Sequence, residues 1–293
     1  MYRVVYIMGP GHSGSTLLAF LLNTHPDIVS VGELGRLITK KTDRRCSCGE
    51  SLSKCYFWVQ FFKTLETDSG VKYKSFNYEN HFLKQLFNVK KSNVIVESLR
   101  QIILSQNPFY QRKLMAASRF YVEAVKTIQK ISNTKILADT SKSITRFEIL
   151  NNIPDLDLYL IWLVRDVRGY VNSAKRKDRN SEMAATKWAK THRLIREIYN
   201  EFPLNKKYML KYEDLCMNPN QKMNELFQFI RVADYKVPDD YKSMNHHIFG
   251  NRMKKSSDTK IKHDEKWKSS LSQYEKEKSL QLAREMVDFF GYN

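Results

Sequence analysis

Short, uninterrupted apolar runs alternate with longer amphipathic segments along the 293-residue chain. The run Arg3-Val-Val-Tyr-Ile-Met8 shows no polar alternation, as expected of a strand covered on both faces. Similar runs fall at residues 94–96, 135–138, 158–164 and 208–210. Between them, apolar residues recur every three or four positions. That spacing predicts helices over 15–22, 56–65, 109–131, 145–151, 167–176, 183–201, 219–230 and 274–290. Residues 231–268 carry scattered apolar positions and many lysines and read as surface loops. Strands alternating with helices predict an α/β fold, a three-layer α/β/α arrangement around a central parallel sheet. Residues 1–293 are expected to form one domain, with helical insertions at 46–120 and 183–202.

Between the first strand and first helix lies Gly9-Pro-Gly-His-Ser-Gly-Ser-Thr16. Gly9 and Gly14 bracket four residues and Ser15-Thr16 follows, which is phosphate-loop spacing with Ser where nucleoside triphosphatases carry Lys. Glycines let successive backbone N–H groups converge on phosphate oxygens, and the helix N-terminus adds its positive dipole end. Without the loop Lys, a magnesium-bridged β,γ-phosphate is poorly served, and a nucleotide with a single 5′-phosphate fits better. A second element follows the run at 158–164: Arg165-Asp166-Val167-Arg168-Gly169, with Ser173 eight positions after Arg165. If residue 166 opens a helix, Ser173 lies two turns along it, about 10 Å away along the axis. Arg165 then shares a phosphate with Ser173 only by reaching forward; the alternative is an Arg-Asp pair at a strand end.

These two segments, in this order and separation, resemble the nucleotide-binding signatures of sulfotransferases that use 3′-phosphoadenosine 5′-phosphosulfate (PAPS). The motifs are most similar to bacterial and tyrosylprotein-type members. The resemblance implies that Gly11, His12, Ser13, Gly14, Ser15 and Thr16 bind the 5′-phosphosulfate and that Arg165 and Ser173 bind the 3′-phosphate. It extends through Lys211-Tyr-Glu-Asp-Leu215, where Tyr212 is expected near the adenine or 3′-phosphate. It also covers His246-His-Ile-Phe-Gly-Asn251, with Arg252 and Lys254, similar to a late basic loop over that phosphate, in which Asn251 is expected to take part. PAPS is the implied donor, the desulfated bisphosphate PAP the product, and no metal is expected. In relatives a Lys or Arg precedes the loop's Ser-Gly and stabilises the leaving group. Here that position is His12, with Lys142 of Asp139-Thr-Ser-Lys142 as a second cation. Val31-Gly-Glu33 resembles the protein-tyrosine sulfotransferase pattern in which the Glu takes the acceptor proton, so Glu33 is the expected base, with His81 and His246 as weaker alternatives.

Lys and Arg outnumber Asp and Glu by 49 to 31, a net charge of +18 that suits phosphorylated or sulfated ligands. A Lys-rich solvated face accounts for the basic stretch at 254–268, which lacks the interleaved aromatics of a nucleic-acid reader. No stretch reaches the roughly 18 to 20 apolar residues that span a bilayer, and the first strand leaves no room for a leader or stalk, so neither membrane nor nucleic acid is an expected partner. Four cysteines, Cys46, Cys48, Cys55 and Cys216, are too few for a disulfide framework, and a cytoplasmic location is expected. Cys46, Cys48 and Cys55 offer three zinc ligands without an evident fourth, so packing or a labile disulfide is the expectation for them. The aromatics of 56–62 read as core before acceptor pocket. The acceptor is expected to be a small molecule, with a glycan or protein tyrosine as alternatives. A nucleotide kinase and a noncatalytic phosphate- or nucleic-acid-binding module remain the competing classes, and nothing in the sequence specifies an oligomeric state.

Overall fold

A computed structural model describes residues 1–36, 45–71, 108–175, 180–242, 246–248 and 260–292. Among these residues the chain runs β1 (Tyr2–Met8), α1 (Ser15–Leu22), β2 (Ile28–Gly32), α2 (Tyr56–Ser69), α3 (Pro108–Ser132), β3 (Ile136–Asp139), α4 (Ile144–Asn151), β4 (Leu156–Val164), α5 (Val167–Lys175) and α6 (Ser181–Glu201). It continues with β5 (Lys207–Lys211), α7 (Tyr212–Met217), α8 (Pro219–Phe229), α9 (Trp267–Ser270), α10 (Gln273–Leu282) and α11 (Arg284–Phe290). The five strands form one parallel sheet in the order β2-β3-β1-β4-β5. Central β1 pairs with β3 on one side and β4 on the other, so it has no polar face and its sequence is an unbroken apolar run.

The alternation of the pleat sorts these residues into two cores. Val4, Tyr6 and Met8 join Leu160, Trp162 and Val164 beneath α2, α3, α5, α6 and α11. Val5 and Ile7 join Tyr159, Ile161 and Leu163 beneath α1, α7 and α8. The result is the expected three-layer α/β/α architecture. Phe57, Trp58 and Phe61 of α2 are buried in the first core, as read from the sequence, whereas Tyr56 faces solvent. No helix among the described residues is long and apolar enough to cross a membrane.

Several expectations change. Strand β2 is missing from the apolar pattern because it is short and carries a polar Ser30 at its centre. Ser30 is buried at no loss because its hydroxyl donates to the Ala138 carbonyl at 3.0 Å. The single helix predicted over 274–290 is two, α10 and α11. They break at fully buried Ala283, whose carbonyl accepts from both Met286 and Val287 at 2.9 Å. Residues 183–202 lie largely in α6, where Ala184, Ala185, Trp188, Ala189 and Ile195 face the core. The strand predicted at 94–96 lies outside the described residues, as does His81.

Histidine 192 on α6 is wholly buried, and Trp162 Nε1 donates to its Nδ1 at 2.9 Å. An indole nitrogen only donates, so the imidazole is neutral with its proton on Nε2. Burial holds its pKa down at about 3. Between pH 6.5 and 3 the unfolded chain therefore binds a proton that the folded chain excludes, and stability falls as the pH falls. The expected loss from this group is about 1.4 kcal/mol per pH unit in that window. Urea melts at several pH values are expected to show a shallower acid slope for His192→Gln than for the wild type; equal slopes would exclude this origin.

Candidate active site

Parallel strands present their carboxyl ends at one edge, and here each end leads into a residue singled out by the sequence. The loop of 9–14 follows β1, Glu33 follows β2, Lys142 follows β3, Arg165 follows β4 and Tyr212 follows β5. This edge, on either side of the central strand where the chain changes direction across the sheet, is where open α/β folds take ligands.

The loop is shaped by its neighbours. Gly14 caps α1 at φ 90°, and a side chain there would run into the Tyr212 ring. Its carbonyl accepts from Leu18 at 3.1 Å, so the first turn of α1 opens directly from the loop, with no side chain capping it. His12 adopts φ 71°, the left-handed region that is costly for a residue with a β-carbon. The Ser13 hydroxyl is buried and has no hydrogen-bond partner among the described residues.

Arg165 ties the two predicted phosphate elements together. Its Nη1 donates to the His12 carbonyl at 2.9 Å and lies 3.5 Å from Ser173 Oγ. The guanidinium packs over the Tyr212 ring at 4.5 Å, and its backbone carbonyl accepts from Trp188 Nε1. The side chain thus reaches forward along α5, as sharing a ligand with Ser173 requires. Gly169 clears the way, since a β-carbon there would lie 2.9 Å from Arg165 Nε. Arg–Asp pairs form at the strand end as well: Asp166 takes Arg168 in a bidentate contact with Nη2 at 2.7 Å, and Arg165 pairs with Asp264 at 3.2 Å. Asp264, from the segment leading to α9, also donates its N–H to the Tyr212 hydroxyl at 3.4 Å. The sequence reading missed Asp264, which sits in a Lys-rich stretch that resembled solvated surface.

Glu33 and Lys142 meet across the ends of β2 and β3. Lys142 Nζ donates to Glu33 Oε1 at 2.7 Å and to the Thr140 carbonyl at 3.1 Å, with both side chains largely buried. Lys142 also has a left-handed backbone, φ 63°. Beneath it, buried Asp139 accepts from the Ser141 N–H at 2.8 Å and from the Ser141 hydroxyl, and from Tyr121 at 2.9 Å. Ser141 Oγ in turn accepts from the Gly35 N–H at 2.8 Å, joining the turn after Glu33 to the turn that bears Lys142. Burial raises the Asp139 pKa despite these contacts and the nearby Arg146. His246 is unsuited to act as a base: Nδ1 contacts Asn23 Nδ2 at 2.6 Å and Nε2 is held by the Tyr241 carbonyl. Asn251, Arg252 and Lys254 lie outside the described residues.

A second polar cluster stands apart from this edge. Cys46, Cys48, Cys55 and His247 bring one ligand atom each within 4.8 Å of one another. All four cysteines are free, so the expected labile disulfide is not formed. The three cysteines lacked an evident fourth partner in the sequence, and His247 joins them from almost two hundred residues away.

Residues 5–236 match the sequence profile of the sulfotransferase family. No curated protein sequence matches the chain. Among solved structures, the fold is similar to the sulfotransferase domain of the Synechococcus PCC 7002 olefin synthase, with a TM-score of 0.58, 18% identity, and 99% of this chain and 95% of that one covered. It is also similar to the sulfotransferase domain from the curacin biosynthetic pathway, with a TM-score of 0.57, 17% identity and 98% of both chains covered. A sulfotransferase from Mycobacterium avium, STF9, aligns with a TM-score of 0.50 and 10% identity over 100% of this chain and 78% of its own.

The contact between Gly14 and Tyr212 has a measurable consequence. Gly14→Ala is expected to destabilise the protein by roughly 1–3 kcal/mol, from backbone strain and the collision with the ring. Adding Tyr212→Ala removes the collision but leaves the strain, so the two losses measured by denaturant melts are expected to be non-additive. Strict additivity would mean that the ring does not confine the loop.

Proposed function

We propose, for a chain that belongs to the sulfotransferase family, that it transfers a sulfuryl group from PAPS to a hydroxyl or amine of a small-molecule acceptor, in the cytoplasm. The observation that carries this reading is the single guanidinium of Arg165, within hydrogen-bonding reach of the phosphate loop and of Ser173 at once. A donor with a 5′-phosphosulfate and a 3′-phosphate has anions for both elements. The fit is supported by the buried Ser13 hydroxyl, which has no partner among the described residues, and by the Gly14 cradle, which a β-carbon would fill.

In this reading, Gly11 through Thr16 hold the 5′-phosphate with backbone N–H groups, the Ser13 hydroxyl and the N-terminus of α1. Arg165 and Ser173 hold the 3′-phosphate, with Tyr212 supporting the guanidinium face. When bound, the donor supplies an activated sulfuryl group whose leaving group is a phosphate. His12 and Lys142 supply positive charge where that phosphate departs. Glu33 takes the proton of the acceptor nucleophile, and its contact with Lys142 orients it. The loop lacks the Lys on which ATP-dependent phosphoryl transfer relies, which weighs against a kinase. That the similar olefin synthase and curacin domains come from biosynthetic systems fits a small-molecule acceptor over a glycan or protein.

Incubation with radiolabelled PAPS and a panel of phenols, alcohols, amines, glycans and tyrosine peptides tests donor and acceptor together. Label is expected to pass to a small molecule without ATP; transfer only to glycan or peptide, or dependence on Mg²⁺ and ATP, would overturn the corresponding part. Glu33→Gln and His12→Gly are each expected to lower turnover at least about tenfold. Glycine suits the left-handed backbone at position 12, so a loss there with undiminished stability isolates the imidazole. Arg165→Ala is expected to weaken PAP binding at least about tenfold by calorimetry, as loss of a charge-assisted contact implies. Unchanged affinity would remove Arg165 from the 3′-phosphate site.

A further inference from the structure

The cysteine turn and His247 form a constellation that sulfuryl transfer does not use. Cys46 N–H donates to the Glu50 carbonyl at 2.8 Å and Gly49 N–H to the Cys46 carbonyl at 3.1 Å, while Arg45 and Ser51 pair across the base. This knuckle, turned at Gly49 with φ 95°, points the Cys46 and Cys48 thiols the same way. Cys55 is the N-cap residue of α2, which sets its sulfur at the positive end of a 14-residue helix. His247 enters from the far end of the chain with its ring stacked on Phe57 at 4.7 Å and 8°.

Nδ1 of His247 lies 3.3 Å from Cys55 Sγ and 3.6 Å from Cys46 Sγ, and Cys48 Sγ lies 3.6 Å from Cys55 Sγ. Tetrahedral zinc, with bonds of about 2.3 Å to sulfur and 2.0 Å to nitrogen, gives edges of about 3.5–3.8 Å between ligand atoms. The three separations fall at or just below those edges. Hydrogen bonding explains them less well, because one ring nitrogen carries either one proton or one lone pair and two sulfurs compete for it. A cation at the centre satisfies all four ligands.

We propose that Cys46, Cys48, Cys55 and His247 bind one zinc ion in a closed, structural Cys₃His site. Four protein ligands leave no open position, so the ion does not act on substrate. Three thiols lose their protons on binding, and a neutral imidazole completes the set. The ion joins the knuckle and the start of α2 to segment 246–248. That junction is reinforced by Ser47, whose hydroxyl donates to the His246 carbonyl and accepts from the Ile248 N–H at 2.8 Å. The proposal does not depend on the transfer reaction.

The test is elemental analysis of full-length protein purified under reducing conditions without chelator. About one zinc per chain is expected, and Cys48→Ser and His247→Ala are each expected to lower it at least fivefold. Cys216→Ser, altering a buried thiol on α7 outside the cluster, is expected to leave it unchanged, and His247→Cys to retain it. Should the depleted variants fail to fold, cobalt exchanged into the wild type decides: tetrahedral d–d bands with a sulfur charge-transfer band support the site. Zinc below about a tenth of an equivalent with no such cobalt spectrum would overturn it. Zinc retained undiminished in both depleted variants would do so as well, as would iron in place of zinc.

Discussion

A guanidinium buried in protein is tolerated only where its donors find acceptors and its charge an anion, and Arg165 meets that condition by joining four separate parts of the chain. It is 6% exposed and reaches the loop after β1, Ser173 on α5, the Tyr212 ring after β5 and Asp264 before α9. An isolated buried charge costs several kcal/mol, so these contacts are mutually conditional. The loop conformation, the small residue at Gly169 and the path of 260–266 are all consistent with that one side chain. Asp264 supplies its anion in this structure. In the proposed function a phosphate competes for the same donors, which makes the Arg165–Asp264 pair part of the binding equilibrium.

The remainder of the edge is held by similar reciprocity. Glu33 and Lys142 are both mostly buried, and their 2.7 Å contact sets opposite charges against each other. Their turns are joined through Ser141, which Asp139 fixes from below. His12 and Lys142 share a left-handed backbone that costs of order 1 kcal/mol or more each. Such strain persists only where surrounding contacts over-determine it; besides Asn133 and Arg231, it falls at the two residues proposed to bear charge beside the leaving group.

Sequence patterning made the loop and β1 legible because they are local: glycine spacing after an unbroken apolar run has few other readings. Arg165 and Ser173 were legible as a pair, but the reach of the side chain that unites them depends on Gly169, and that role emerges only from packing. Strand β2 was hidden by Ser30, whose polarity is neutralised by a carbonyl on β3 more than a hundred residues later. His247 was hidden for the same reason. Three cysteines within ten residues suggest a metal, yet the fourth ligand comes from a distant segment and sits inside a stretch with another apparent purpose. Local chemistry is written locally; closure of a site by distant segments is written only in the fold.

This distinction gives the cysteine cluster a place in the architecture. Among the described residues β2 is an edge strand, and the backbone groups on its outer side need partners other than β3. Asn23 supplies one by accepting from the Ser30 N–H at 2.7 Å, and the same amide contacts His246 at 2.6 Å. His246 adjoins His247, so a metal that fixes His247 also fixes the far side of the clamp on β2. Glu33 follows β2 directly and is held on its inner side by Lys142. The proposed base thus stands between an ion pair inward and an amide–imidazole clamp outward, and the zinc would anchor that clamp to the helical segment beginning at α2.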